Sequence, residues 1–138
     1  MQETQVRMIL LQEIKTLYWV QAQRLQQKAA YVGFDWDATD KVWDKVNEEM
    51  EEVKEAESSS NKDRIEEEVG DLLFTIVNLC RFFDISSEDA LRKAKRKFTN
   101  RFQALEKELK RQGKKLEETN LTEMDEIWNR QKKSVPAQ

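Results

Sequence analysis

The sequence predicts an all-α protein, a helical bundle of about five helices, on three observations. Only three Gly and one Pro interrupt 138 residues, and the proline, Pro136, lies almost at the end. Glu, Lys, Gln, Leu and Ala dominate, residues that lose little on entering a helix. Apolar positions recur at three- and four-residue spacing. With 37% charged and 38% hydrophobic residues, each helix has material for one buried and one solvated face. The chain length suits one domain over residues 1–138 with a modest core, and no internal repeat or interior boundary is visible.

The first helix is predicted from about Thr4 to Val32, with Val6, Ile9, Leu10, Ile14, Leu17, Tyr18 and Leu25 facing inward. Gly33 ends it, and Asp37 or Thr39 is placed to cap the next helix, from about Asp40 to Glu57. Ser58-Ser59-Ser60-Asn61 reads as a polar turn. The third helix follows, from about Asp63 to Phe83. Ser86 or Ser87 caps a fourth, which ends near Gln112 with Gly113 as its stop. Thr122 opens a short fifth helix, with Asp125 completing a weak capping box. From Val69 to Phe83 the third helix is apolar nearly all round, with Ile65, Val69, Leu72, Ile76, Leu79 and Phe83 on one stripe and Phe74 and Phe82 elsewhere. Such a helix should be buried on most sides, and a helical homodimer is the simplest way to cover it.

Composition excludes several chemistries. There is no histidine, so imidazole acid–base catalysis, His-containing nucleophilic triads and imidazole metal sites are out. The single cysteine, Cys80, sits in an apolar run and is expected to fill core. A net charge of -3 gives no general field for a nucleic acid polymer or an anionic membrane. No signal peptide and no spanning apolar run are found, so a cytoplasmic location and no membrane partner are expected.

The chemistry lies in the carboxylates. On the second helix, at about 100° per residue, Val42, Val46, Met50 and Val53 form one stripe. Glu49 falls within that apolar arc, Glu52 lies at its edge, Glu48 is a step further round and Glu51 points away. A buried Glu49 needs a proton, a cation or a metal. On the third helix Glu68, Asp71, Thr75 and Asn78 form a narrow polar strip beside the apolar stripe, and Glu68 and Asp71, three apart, can grip one ion. In a chain this rich in Glu, the first pattern alone is also what a solvated face produces. Together, on consecutive antiparallel helices, the two pairs converge into four mutually repelling carboxylates whose natural partner is a divalent cation. All-oxygen ligation points to Mg²⁺ first, with Mn²⁺ or Ca²⁺ next.

Such an ion completes its shell with water and phosphate, so phosphate-binding cations are sought nearby. On the fourth helix Leu91, Ala94, Phe98, Phe102, Leu105 and Leu109 make the inward stripe, and Lys97 and Arg101 border it on one side. Arg96, Lys107 and Lys110 project to the opposite face. By pattern alone, Lys97 and Arg101 also fit snorkelling core-edge residues, and Trp128, four before Lys132, also fits a packing anchor.

Glu48-Glu49-Met50-Glu51-Glu52 and Glu68-Val69-Gly70-Asp71 resemble the paired motif of the MazG family of all-α nucleotide pyrophosphohydrolases. The resemblance runs from about Arg24 through Gly33-Phe34-Asp35-Trp36 and Gly70-Asp71-Leu72-Leu73-Phe74 to Trp128 and Lys132, so residues 24–132 form the similar core and residues 1–23 a weaker N-terminal helix. It is similar in particular to the C-terminal domain of two-domain bacterial members. The resemblance implies that Glu49, Glu52, Glu68 and Asp71 ligate Mg²⁺, and that Lys97, Arg101, Trp128 and Lys132 contact the nucleotide. It also implies an intertwined homodimer that cleaves nucleoside triphosphates to the monophosphate and pyrophosphate. Glu48 or Glu49 is then the expected base toward water, and base specificity is expected to be broad. A base-specific all-α dUTPase relative and a non-catalytic helical dimerisation module are the rival expectations.

Overall fold

The computed structural model describes residues 17–134. Among them the chain is entirely helical: α1 (Tyr18–Tyr31), α2 (Thr39–Ser58), α3 (Lys62–Phe82), α4 (Ser87–Arg111), a 3₁₀ turn (Leu116–Glu118) and α5 (Leu121–Ser134). The predicted start of the first helix, with Val6 to Ile14, lies outside the described residues. The residues group into two compact units divided between Asp89 and Ala90.

Local chemistry fixes the helix ends. Gly33, at φ +91°, closes α1, with its own N–H donating to Ala30 O (3.0 Å) and the Phe34 N–H to Ala29 O (2.9 Å). Gly113, at φ +72°, closes α4 in the same way. Ser86 Oγ accepts from the Asp89 N–H at 3.2 Å, as expected of a cap. Two expected caps are replaced. Ala38 precedes α2 without a side-chain cap, because Thr39 is already helical and Asp37 pairs instead with Lys41 at 2.6 Å. At α5 it is Asn120 whose Oδ1 accepts from the Glu123 N–H (2.9 Å), so the helix starts one residue before Thr122. Asn61 caps α3 by accepting from the Asp63 and Arg64 N–H groups.

In the first unit, the short turn between α2 and α3 makes them an antiparallel hairpin, and α1 packs on α3. Val42, Val46, Ala56 and Val77 are buried there. In the second unit, Leu105 and Leu109 of α4 and Ile127 of α5 form a cluster, with Phe102, Met124 and Trp128 packed against it.

Some expected faces turn outward in the single chain. Tyr18 and Leu25 of α1 are exposed, and Gln26 is the residue of α1 that is buried. Met50 is exposed because its neighbour Glu49 occupies the inward position, about 100° away round the helix. Leu91 and Phe98 of α4 are exposed as well. α3 is not covered on most sides within the chain: Val69, Leu73, Phe74 and Phe83 are exposed, because only two helices of the first unit are there to cover it. Cys80 is half-buried, and burial pushes its thiol up from the ordinary range, in keeping with a filling role.

Candidate functional site

A hairpin brings together residues equally distant in sequence from its turn. Glu49 lies on α2 before the turn at residues 59–61, and Glu68 and Asp71 lie on α3 beyond it. One carboxylate oxygen from each of Glu49, Glu68 and Asp71 lies within 4.8 Å of the others. Glu49 is buried, 8% exposed, as its position in the apolar arc requires. Glu68 is half-buried and Asp71 exposed. Glu52, one turn along α2, is half-buried and outside this group of three, though its charge acts on Glu68. Partial burial, then the charges of Glu52, Asp71, Glu67 and Glu49, holds the Glu68 carboxyl above its ordinary range. Hard oxygen donors that repel one another are what a divalent cation binds, and the three groups are close enough to share one.

Lys45 was not among the residues singled out from sequence. Its Nζ lies 3.0 Å from Glu49 and 3.2 Å from Glu48, and these carboxylates raise its pKa, the hydrogen bond to Glu49 contributing most. It stands one helical turn before them, an i,i+4 pairing that sequence spacing contains. Glu48 is exposed and Glu51 is turned away to pair with Lys54.

Lys45 also lines a cleft of about 580 Å³ in the first unit, whose other walls include Gln26, Phe34, Trp36, Thr75 and Asn78. Thr75 is buried and donates to Asp71 O (2.9 Å). Arg81 lines the cleft as well. Its guanidinium grips both oxygens of Asp35, Nη1 donating to Oδ2 at 3.1 Å and Nη2 to Oδ1, and its Nε donates to Asn78 Oδ1 at 3.0 Å. The hydrogen bonds from Arg81 hold the Asp35 carboxyl below the usual carboxylate range.

The expected nucleotide contacts lie in the second unit. Lys97 and Arg101 are half-buried on α4, and Arg101 Nε is buried with no hydrogen-bond partner among the described residues. Trp128 is half-buried, its ring 5.3 Å from that of Phe98 and tilted by 46°. Lys132 is exposed one turn further along α5.

Residues 39–106 match the MazG nucleotide pyrophosphohydrolase domain. The match starts with α2 and ends within α4, so it contains the three carboxylates, Lys45, Lys97 and Arg101. The chain is 46% identical over 111 residues to a Thermotoga maritima protein named nucleoside triphosphate pyrophosphohydrolase/pyrophosphatase MazG, covering 80% of this chain and 42% of that protein. It is 39% identical over 116 residues to an Escherichia coli nucleoside triphosphate pyrophosphohydrolase, covering 83% and 44%. The chain therefore spans less than half the length of these curated relatives.

Proposed function

We propose that this chain, whose residues 39–106 belong to the MazG nucleotide pyrophosphohydrolase domain family, hydrolyses nucleoside triphosphates to the monophosphate and pyrophosphate with Mg²⁺ at its carboxylate cluster. The observation that carries the reading is the convergence of Glu49, Glu68 and Asp71 within 4.8 Å, on a family-matched hairpin. Residues of that type fit Mg²⁺, with Mn²⁺ as a substitute, and Glu52 stands beside them as a fourth ligand or as a partner to bound water. Mg²⁺ would supply charge neutralisation and a more acidic water. Glu48 or Glu49 would orient that water and take its proton, with Lys45 holding both carboxylates in place. Lys97 and Arg101 would bind the phosphates, a role that gives the unpaired Arg101 Nε a partner. Trp128 and Lys132 would contact the rest of the nucleotide.

Assembly as a homodimer is part of the proposal. It would cover Val69 and Leu73 on α3 and Phe83 just past its end, a surface costly to leave in water. Sedimentation should then give about twice the 16.4 kDa chain mass. No helix among the described residues is long and apolar enough to cross a membrane, and a cytoplasmic enzyme is the proposed setting. Incubation with each of eight NTPs and dNTPs, with product analysis, tests the activity. Pyrophosphate release from several bases is expected, whereas release from dUTP alone would favour a dUTPase-like enzyme. No turnover and no Mg²⁺-induced rise in melting temperature would favour a dimerisation module. Lys97→Ala and Arg101→Ala should each cost about 2–4 kcal/mol of transition-state stabilisation, and Arg96→Ala little.

A further inference from the structure

Gln26 is 8% exposed, and its Oε1 is buried with no hydrogen-bond partner among the described residues. Its amide cannot be turned round to cure this. Nε2 donates to Phe74 O at 2.8 Å, and a carbonyl only accepts, so the acceptor end of Gln26 is fixed. A buried acceptor left unpaired costs about 1–3 kcal/mol. Gln26 is one of the residues that line the cleft between α1, α3 and the Phe34–Trp36 segment. The cleft also presents the rings of Phe34, Trp36 and Phe74, flat apolar surfaces for a planar heterocycle.

A second polar group faces the same space. Asn78 lines the cleft, and its Oδ1 is taken by Arg81 Nε at 3.0 Å, leaving its NH₂ as the remaining hydrogen-bonding end. The cleft thus offers one fixed acceptor and one donor between aromatic walls, the complement of an N–H beside a ring nitrogen or carbonyl oxygen. Every common nucleobase except its fully alkylated forms carries such an edge. The cleft is also joined to the carboxylates: Lys45 touches Glu49 and lines the cleft. Asp71 and Asn78 lie on one helix about 10 Å apart along its axis. A ribose sets a phosphate and the far edge of its base apart on that scale.

We infer that the α1–α3 cleft is a nucleobase pocket, in which Gln26 Oε1 accepts a hydrogen bond from a base N–H and Asn78 donates to the neighbouring acceptor. The inference rests on the proposed triphosphate hydrolysis and adds a determinant of base preference to it. Stacking on aromatic rings tolerates any base, so a rank order among bases has to come from edge-reading groups such as these.

The test compares UTP with N3-methyl-UTP and ATP with N6,N6-dimethyl-ATP, in the wild-type chain and in Gln26→Leu. Methylation removes the N–H that Gln26 would accept. For at least one pair, wild type should lose roughly tenfold or more in kcat/KM on methylation, and Gln26→Leu should reduce that penalty to about twofold or less. Equal methylation penalties in the two proteins would overturn the inference while leaving the hydrolase standing. Should wild type hydrolyse none of the four, the proposed activity fails instead, and the pocket is then read by binding. Titration with UMP and AMP should shift the side-chain amide NMR signals of Gln26 and Asn78, and no shift would overturn the pocket as well. The same titration serves if Gln26→Leu does not fold.

Discussion

The two helices that meet at the carboxylate cluster contribute to it unequally. On α2, Glu49 is buried and already partnered by Lys45 at 3.0 Å. On α3, partial burial raises the Glu68 pKa first, and the surrounding acids Glu52, Asp71, Glu67 and Glu49 raise it further. A buried charge on α2 is therefore tolerated through a built-in cation, whereas Glu68 and Asp71 on α3 are held close with no ion pair to either among the described residues. In the proposed metal site the α2 side would supply a preset, oriented ligand, and the α3 side the unbalanced charge that attracts a cation. Mutual repulsion alone would make removal of any one of the four acids a relief. The ion pair on α2 separates them.

The largest expected effect is on activity and is common to both helices. Glu49→Gln and Asp71→Asn should each lower kcat/KM about a thousandfold or more and abolish the Mg²⁺-induced rise in melting temperature. Their metal-free stabilities should part company. Asp71→Asn removes repulsion only and should raise the melting temperature. Glu49→Gln also loses the Lys45 pair and should leave it unchanged or lower. Melting curves with and without Mg²⁺ decide this, and equal metal-free shifts in the two variants would erase the contrast between helices.

A smaller effect is expected at the cation itself. Lys45→Met leaves Glu49 buried without its partner and should cost about 1–3 kcal/mol of metal-free stability by chemical denaturation. Saturating Mg²⁺ should recover part of that loss, since the metal replaces the missing positive charge. A Lys45→Met chain as stable as wild type without metal would show that the pair does not hold Glu49.

The smallest effect is a pH dependence set by α3. The folded Glu68 pKa lies above the ordinary carboxyl range, so folding favours the protonated form. Its cost to the metal-free fold is present in full above the folded pKa and is relieved as pH falls through it. Mg²⁺ requires the ionised form, so the Mg²⁺-induced rise in melting temperature should shrink over the same fall. In Glu68→Gln the metal-free melting temperature should rise near neutral pH, and this part of the pH dependence should vanish. An unaltered pH profile in that variant would place the titration elsewhere.

Glu49, Glu68 and Asp71 are legible in the sequence because each puts a charge on or beside an apolar face, a cost that helical periodicity exposes without any tertiary information. Lys45 is legible too, by its i,i+4 spacing to Glu49, once the question is what neutralises a buried acid. Gln26 is not. A neutral amide costs less to bury than a charge, and α1 offered Tyr18 and Leu25 as its expected inward residues, both of which are exposed. Met50 misleads similarly, since an apolar side chain at the edge of an arc can turn to either side.

By itself the sequence determined the helical class, the order of its helices, the glycine stops at Gly33 and Gly113 and the acids from which the cluster is drawn. Those rest on local terms: backbone propensity, side-chain period and the positive φ that only glycine adopts freely. Tertiary structure decided which acids bring their oxygens within 4.8 Å of one another, that Lys45 pairs with Glu49 and lines the cleft as well, and that Gln26 is the buried polar side chain of α1. These depend on distances between helices, and only the packing of one helix against another sets such distances.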